Sequence, residues 1–226
     1  MKSKIIITGA KGLIGKKIFQ YLKSKGHHLV GIDLKDGDDL SNSLEVKKLM
    51  NEYKNFEYLI NLHGFNDHVD KSKKSVIKLD EKEIFDKYFH SNVYSNYLTN
   101  LHFIKCMKKP KGIINFASQY AVQSPKHYIY DKPKNVFYVA SKFSVIGLTK
   151  YFATFFGKKL NVNCIINSGI EFNQPKEFKK KLISHIPKNR MMKIEDLYGV
   201  IELLVSKKSQ YMNGSLIYLD GGYSSW

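Results

Sequence analysis

Short apolar runs alternate with longer amphipathic stretches along this chain. Lys4–Thr8 (KIIIT), His28–Asp33 (HLVGID), Tyr58–Leu62 (YLINL), Lys111–Ser118 (KGIINFAS), Lys159–Ile166 and Ser215–Asp220 are apolar runs closed by glycine or polar residues. Runs of this length predict strands buried on both faces, the environment of a parallel sheet. Helical patterns fill the intervals. They cover Ile14–Lys25, stopped by Gly26, then Ser41–Tyr53, Asp80–Met107 as one long helix or two, Asn135–Gly157, Pro175–Ile186 and Ile194–Ser206. Phe65–Leu79 is polar and lysine-rich and reads as a loop, as does Gln119–Lys134, which holds two prolines and three tyrosines. The alternation predicts an α/β fold: a single Rossmann-type, doubly wound, mostly parallel sheet spanning residues 1–226 as one domain.

One interval breaks the pattern. After Asp33, only Leu34–Asp38 precede Asp39-Leu40 and the helix that follows. A parallel crossover needs a dozen residues or more, so no complete strand–helix–strand unit fits there. The sheet is therefore expected to have six strands.

Composition narrows the class. The chain has 226 residues, 43% of them hydrophobic and 13% aromatic, which suits one globular domain with a substantial core. No apolar run approaches the ~20 residues of a membrane span. Met1-Lys2 lead straight into a strand, which predicts no signal peptide. Cys106 and Cys164 lie in apolar contexts without disulfide or metal-ligand spacing, so a reduced, cytoplasmic setting and no bound metal are expected. The net charge of +17 raises a nucleic-acid reading. Of 37 basic residues, however, all but Arg190 are lysine, spread along the whole chain. Arginine is the residue suited to bidentate phosphate and base contacts, so solvated helix faces explain the lysines better than a specific nucleic-acid partner.

The candidate chemistry gathers at strand ends. TGAKGLIG (Thr8–Gly15) joins the first strand to the first helix. Glycines there let the backbone approach a pyrophosphate, and the helix N-terminus offers free N–H groups. Asp33 closes the second strand, where an acid about 20 residues past the glycines holds ribose hydroxyls and repels a 2′-phosphate. Lys11 would favour that phosphate; Asp33 is weighed above it, predicting NAD over NADP. Asn61–Gly64, Ser118 and Asn167–Gly169 end three further strands. In an open α/β sheet, ligands bind at these carboxyl ends.

Within Asn135–Gly157, Tyr138 and Lys142 stand one helical turn apart on one face. An ammonium beside a phenol favours the phenolate and makes an acid–base pair. The spacing alone is weak evidence in a chain with 15 tyrosines. Tyr21/Lys25, Tyr128/Lys132 and Tyr130/Lys134 repeat it, but the first runs into a helix end at Gly26 and the others cross Pro133.

Taken together, TGAKGLIG, Asp33, Asp39-Leu40, NLHG at 61–64, Asn92, Ser118, YVASK at 138–142, NSG at 167–169 and LDGG at 219–222 resemble the short-chain dehydrogenase/reductase family over essentially the full chain. The resemblance implies an NAD(P)-dependent oxidoreductase that interconverts an alcohol and a carbonyl. Tyr138 would be the general acid/base, Lys142 would lower its pKa and bind the nicotinamide ribose, and Ser118 would hydrogen-bond the substrate carbonyl. Asn92 would hold a helix kink and a proton-relay water. Gly9, Lys11, Gly12, Leu13, Ile14, Gly15, Asp33, Leu34, Asp39, Leu40, Asn61, His63, Gly64, Ser168, Gly169 and Ile170 would line the cofactor with Tyr138 and Lys142. Members usually place a helix and a further strand between the equivalents of Asp33 and Asp39; here the usual third strand is reduced to a stub. NLHG replaces the common Asn-Asn-Ala-Gly, and Ser168 replaces the common proline before Gly169.

The Ser118–Tyr138 loop is longer than in compact members. With YFATFF at 151–156, NQPKEF at 173–178 and the DGGYSSW ending, it resembles a bacterial subgroup serving surface-sugar, flagellin-glycosylation and nonulosonic acid pathways. That implies a sugar or nucleotide-sugar substrate, with Gln119, Tyr120, Tyr128, Tyr130 and Gln174 as substrate-side residues. The short Gly169–Pro175 segment implies an open site, and the family implies a homodimer or homotetramer in which the apolar face of Asn135–Gly157 packs between subunits. A non-catalytic NAD-binding scaffold and an epimerase or dehydratase of the same fold are the alternatives.

Overall fold

The computed structural model describes residues 2–67, 80–130 and 133–226. Most of the expected Phe65–Leu79 loop, and two residues of the Gln119–Lys134 loop, lie outside them. Six parallel strands form one sheet in the order β2-β1-β3-β4-β5-β6. They are β1 (Lys4–Thr8), β2 (His28–Ile32), β3 (Tyr58–Asn61), β4 (Gly112–Phe116), β5 (Asn161–Asn167) and β6 (Leu216–Leu219). The helices between them are α1 (Leu13–Ser24), α2 (Ser43–Glu52), α3 (Glu81–Phe89), α4 (Ser95–Cys106), α5 (Val136–Phe155), α6 (Lys176–Ile183) and α7 (Tyr198–Leu204).

β1 shows why the sheet forms where it does. Ile5 and Ile7 enter one core with α1 and α7, packing against Ile18, Leu22 and Ile201. Ile6 points the other way, into a core with Val46, Met50, Phe103 and Phe152 from α2, α4 and α5. All three isoleucines are fully buried, each stabilising the fold by about 1.5–3 kcal/mol. Period-2 geometry sends adjacent side chains to opposite faces, so a strand covered on both sides must be apolar throughout.

The short interval after Asp33 holds a single 3-10 turn, Leu34–Asp36, and no strand. β2 therefore ends the sheet as an edge strand beside β1, with His28 and Gly31 exposed. The chain then returns through α2 to β3, on the other side of β1. That reversal opens the crevice at the carboxyl ends of β1 and β3.

The Asp80–Met107 pattern resolves into two helices. A Asp80–Glu83 capping box starts α3, and a π-helical turn at His90–Tyr94 joins it to α4. Such bulges insert one residue into a helix and are frequent at functional sites.

Candidate active site

The glycine turn is built by close approach. The Gly9 N–H donates to Ile32 O at 2.8 Å, tying the turn to β2. A Cβ on Gly15 would stand 2.0 Å from Gly9 O, so only glycine lets α1 begin against the turn. Leu13 and Ile14 occupy the first turn of α1. Asp33 is buried, and its carboxylate accepts the amides of Lys11 (2.7 Å) and Lys35 (3.0 Å). The Lys11 ammonium pairs with Asp36 at the surface. Leu34 is exposed. Asp39 turns to Ser41, accepting from its amide at 2.9 Å and its hydroxyl at 2.7 Å. Leu40 packs in the core beside Val46 and Met50.

Asn61 and His63 lock the middle of the crevice. Asn61 Nδ2 donates to Asn100 Oδ1 (2.8 Å) and Asn115 Oδ1 (2.9 Å), and Asn115 donates onward to Thr149 (3.0 Å). His63 bridges Thr8 Oγ1 (2.6 Å) and Ser95 Oγ (2.9 Å). The Ser95 hydroxyl is donated to Ser91 O, so His63 must donate from Nε2 and accept at Nδ1. Burial, reinforced by the nearby Lys142 cation, pushes this imidazole down to about 3, so it stays neutral.

The four residues expected to carry the chemistry converge. Ser118 follows β4, accepts the Tyr120 amide at 3.2 Å, and shares a hydrogen bond with Tyr138. The Ser118 hydrogen bond pulls the Tyr138 pKa down, which is the effect of a hydroxyl donated to the phenol oxygen. Lys142 lies a turn along α5, half-buried, with Nζ donating to Phe116 O at 3.2 Å. Asn92 sits on the π turn. Its Nδ2 donates to Phe65 O (3.0 Å) and Ser141 Oγ (3.0 Å), and its Oδ1 accepts the Phe65 amide (2.6 Å). A Cβ on Gly64 would stand 2.9 Å from Asn92 Oδ1 and 3.8 Å from Lys142 Nζ, so glycine keeps a space open beside the ammonium.

The electrostatics differ from the sequence expectation in one respect. Lys142 was expected to lower the Tyr138 pKa. In this structure burial raises it, and the opposing influence is the Ser118 hydrogen bond. Burial also brings Lys142 down to about 8. Desolvation is the largest influence on both groups.

At the substrate side, Gln119 is buried and its Oε1 has no hydrogen-bond partner among the described residues. Tyr120 and Tyr130 share a hydroxyl–hydroxyl hydrogen bond. They pack with Tyr223 in a cluster that reaches Tyr138, so their rings support the loop. Tyr128 is 66% exposed and bonds His185 Nε2 at 3.0 Å. Gln174 braces its own loop, donating to Ile170 O and accepting the Phe172 amide. Gly169 packs against Leu182, and the buried Ser168 hydroxyl has no partner among the described residues.

Sequence reading missed three neighbours of Tyr138. Tyr88 meets its ring at 6.2 Å, Ser141 holds Asn92, and Lys134 lies over its face. Ser141 stood inside YVASK. Nothing distinguished Lys134 from the other lysines except its place in a discarded Tyr/Lys spacing.

The residues present suit a dinucleotide. The glycine cradle, the ribose-side acid, the gap held open by Gly64 and the unpartnered Ser168 hydroxyl follow one another along the crevice. A sheet of this topology with a Ser–Tyr–Lys set at its carboxyl edge defines a short-chain dehydrogenase/reductase. The sequence profile of a family described as Enoyl-(Acyl carrier protein) reductase matches residues 3–224, and the chain belongs to that family. It is 27% identical to the 3-oxoacyl-[acyl-carrier-protein] reductase FabG of Rickettsia bellii, over 96% of this chain and 95% of the relative. It is 28% identical to the 7alpha-hydroxysteroid dehydrogenase of Bacteroides fragilis, over 96% and 93%. A short chain dehydrogenase from Leptospira borgpetersenii, solved with bound NAD+, superposes with a TM-score of 0.86 at 26% identity, covering 99% of this chain and 93% of that one. The protein is an NAD(P)-dependent oxidoreductase of this family. Among the described residues no helix is long and apolar enough to cross a membrane.

Proposed function

We propose that the protein oxidises or reduces a polar, sugar-type substrate with NAD, using Tyr138 as the acid/base. The observation that carries this reading is the convergence of Ser118, Tyr138, Lys142 and Asn92 on one buried point beside the glycine crevice. The nicotinamide ring supplies the hydride chemistry when bound. Tyr138 exchanges the proton at the substrate oxygen. Ser118 donates to that oxygen as negative charge develops on it. Lys142 reaches the space beside Gly64, where a ribose hydroxyl would accept a hydrogen bond from its ammonium, and its charge favours the phenolate. Asn92 fixes the π turn through Phe65 and Ser141, which keeps the opening of α5 in register with the crevice.

NAD is favoured by Asp33 and by the pairing of Lys11 with Asp36, which occupies the cation nearest a 2′-phosphate. A polar substrate is favoured by the groups around the tyrosine. The Gln119 carbonyl oxygen is an unused acceptor, and Asn66, Asp67 and Lys134 lie on the same side. The relatives named above act on acyl chains and a steroid by their names, so substrate class must be decided by assay. Purified protein with NAD or NADP and a panel of sugar alcohols, sugar acids, a hydroxyacyl thioester and a hydroxysteroid provides it. Turnover confined to the polyhydroxylated members is expected; preference for the acyl or steroid members would overturn the substrate assignment.

A homodimer or homotetramer completes the proposal. Phe143, Tyr151 and Phe155 leave an exposed aromatic band on α5, with Tyr94 and Tyr97 on the neighbouring π turn and α4. A monomeric mass by sedimentation would overturn it.

A further inference from the structure

Lys134 precedes α5, four residues before Tyr138, and no proton transfer or hydrogen bond in the chemistry above uses it. Only 6% of it is exposed. Its Nζ donates to Asn66 Oδ1 at 2.7 Å and lies 4.3 Å from the Tyr138 ring centroid. Lysine is seldom buried this deeply without a group that compensates its charge. Here the compensation is Asn66, the attraction of Asp67, and the face of the Tyr138 ring.

The charged and titratable groups around Tyr138 come from every side. Asp67 approaches from the loop after β3, Tyr88 from α3 and Tyr130 from the Ser118–Tyr138 loop. Lys142 follows on α5, with Cys164 of β5 and His63 facing it. Among the described residues, Lys134 and Lys142 are cations that flank the phenol in sequence, one before it and one after it. A cation over an aromatic face is held by the ring's negative π density. Ionising the phenol puts more negative charge into that ring, so the same cation holds the phenolate more tightly than the phenol.

We propose that Lys134 is a second positioning cation for Tyr138, stabilising its phenolate through the ring face while Asn66 anchors the ammonium there. The lengthened Ser118–Tyr138 loop then has a defined job, which is to deliver this lysine.

The inference rests on Tyr138 being the acid/base, and its test reads the tyrosine without substrate. Full-length protein is labelled with carbon-13 at the tyrosine ζ carbons, and the signal missing in Tyr138→Phe identifies the residue. Lys134→Met should raise the Tyr138 titration midpoint by about one pH unit, a tenfold loss of phenolate. Lys134→Arg should return it toward the wild-type value. Asn66→Ala, which leaves the lysine but removes its anchor, should give a smaller rise and serves if Lys134→Met does not fold. An unchanged or lowered midpoint in a folded variant overturns the proposal, as does a wild-type phenol still un-ionised at about pH 11. Turnover in Tyr138→Phe tests the acid/base assignment separately, so the two failures are distinguishable.

Discussion

The two ends of the crevice hold their polar groups in opposite ways. At the end proposed for the adenosine, residues 33–41 largely satisfy one another. Asp33 takes the Lys11 and Lys35 amides, Asp38 takes the Asp33 amide, and Asp39 takes Ser41. At the catalytic end, the partners come from far along the chain. Asn92 joins Phe65 to Ser141, Lys142 reaches β4, and Lys134 reaches Asn66. The first end lies on an edge strand, where the short interval after Asp33 is closed by short-range hydrogen bonds. The second cannot be shortened in that way, because its titratable groups depend on burial from several elements at once. The chain is accordingly trimmed where repair is local.

The largest effect should come from removing the phenol hydroxyl. Tyr138→Phe is expected to lower kcat by about 10²–10⁴-fold and to leave NAD affinity within a factor of a few, measured by steady-state turnover and by nucleotide fluorescence titration. A variant with near wild-type kcat would remove the acid/base role. Next is Lys142→Met, with kcat down by about 10²-fold and the fold made more stable. A lysine brought to about 8 by burial, below its ordinary 10.5, binds fewer protons folded than unfolded. Stability therefore rises with pH between those values, and at pH 7 the buried ammonium costs stability. Lys142→Met should be more stable than wild type by about 1–3 kcal/mol at pH 7 and should flatten the rise above pH 8. Urea melts at pH 7 and pH 10 check both signs. A variant destabilised at pH 7 would show that packing around the lysine stem outweighs the charge.

Much of this contrast could be read from sequence at one end and not at the other. The strands, the six-strand count and the trimmed interval were legible because they depend on local rules: apolar runs, glycine stops and the minimum length of a crossover. The expectation of a site at Tyr138, Lys142, Ser118 and Asn92 comes from a Tyr/Lys spacing, a strand end and, for Asn92, the family resemblance alone. Lys134 was not legible, since its significance depends on the fold carrying Asn66 and the Tyr138 ring to it. The π turn at His90–Tyr94 was likewise hidden inside a continuous helical pattern; only the ambiguity between one helix and two pointed to it. Nor could the sequence show that Tyr120 and Tyr130 pack on each other and Tyr128 faces outward, because three tyrosines in a loop look alike until the loop is folded. The pKa of Tyr138 reversed its expected direction for the same reason: pairing is visible in a spacing, whereas desolvation belongs to the whole site.

The smallest effect tests whether the trimmed end still governs cofactor choice. Asp33 is buried with two amides on its carboxylate, and in the proposed function its remaining lone pairs would accept the ribose hydroxyls. Asp33→Asn keeps an oxygen for one of those amides and removes the negative charge. It should therefore spare the fold while admitting a 2′-phosphate, which Lys11 and Lys35 would then attract. The ratio of kcat/KM for NAD over NADP is expected to fall by about 10–100-fold, with most of the change in NADP KM, read from parallel initial-rate measurements. The comparison sharpens if kcat with NAD is little altered, because local repair at the adenosine end should leave the buried catalytic groups undisturbed. It breaks if kcat falls together with the ratio. The short interval after Asp33 would then be coupled to Tyr138 through His63 and Thr8, a side-chain bridge that links the end of β1 to the helix carrying Ser95.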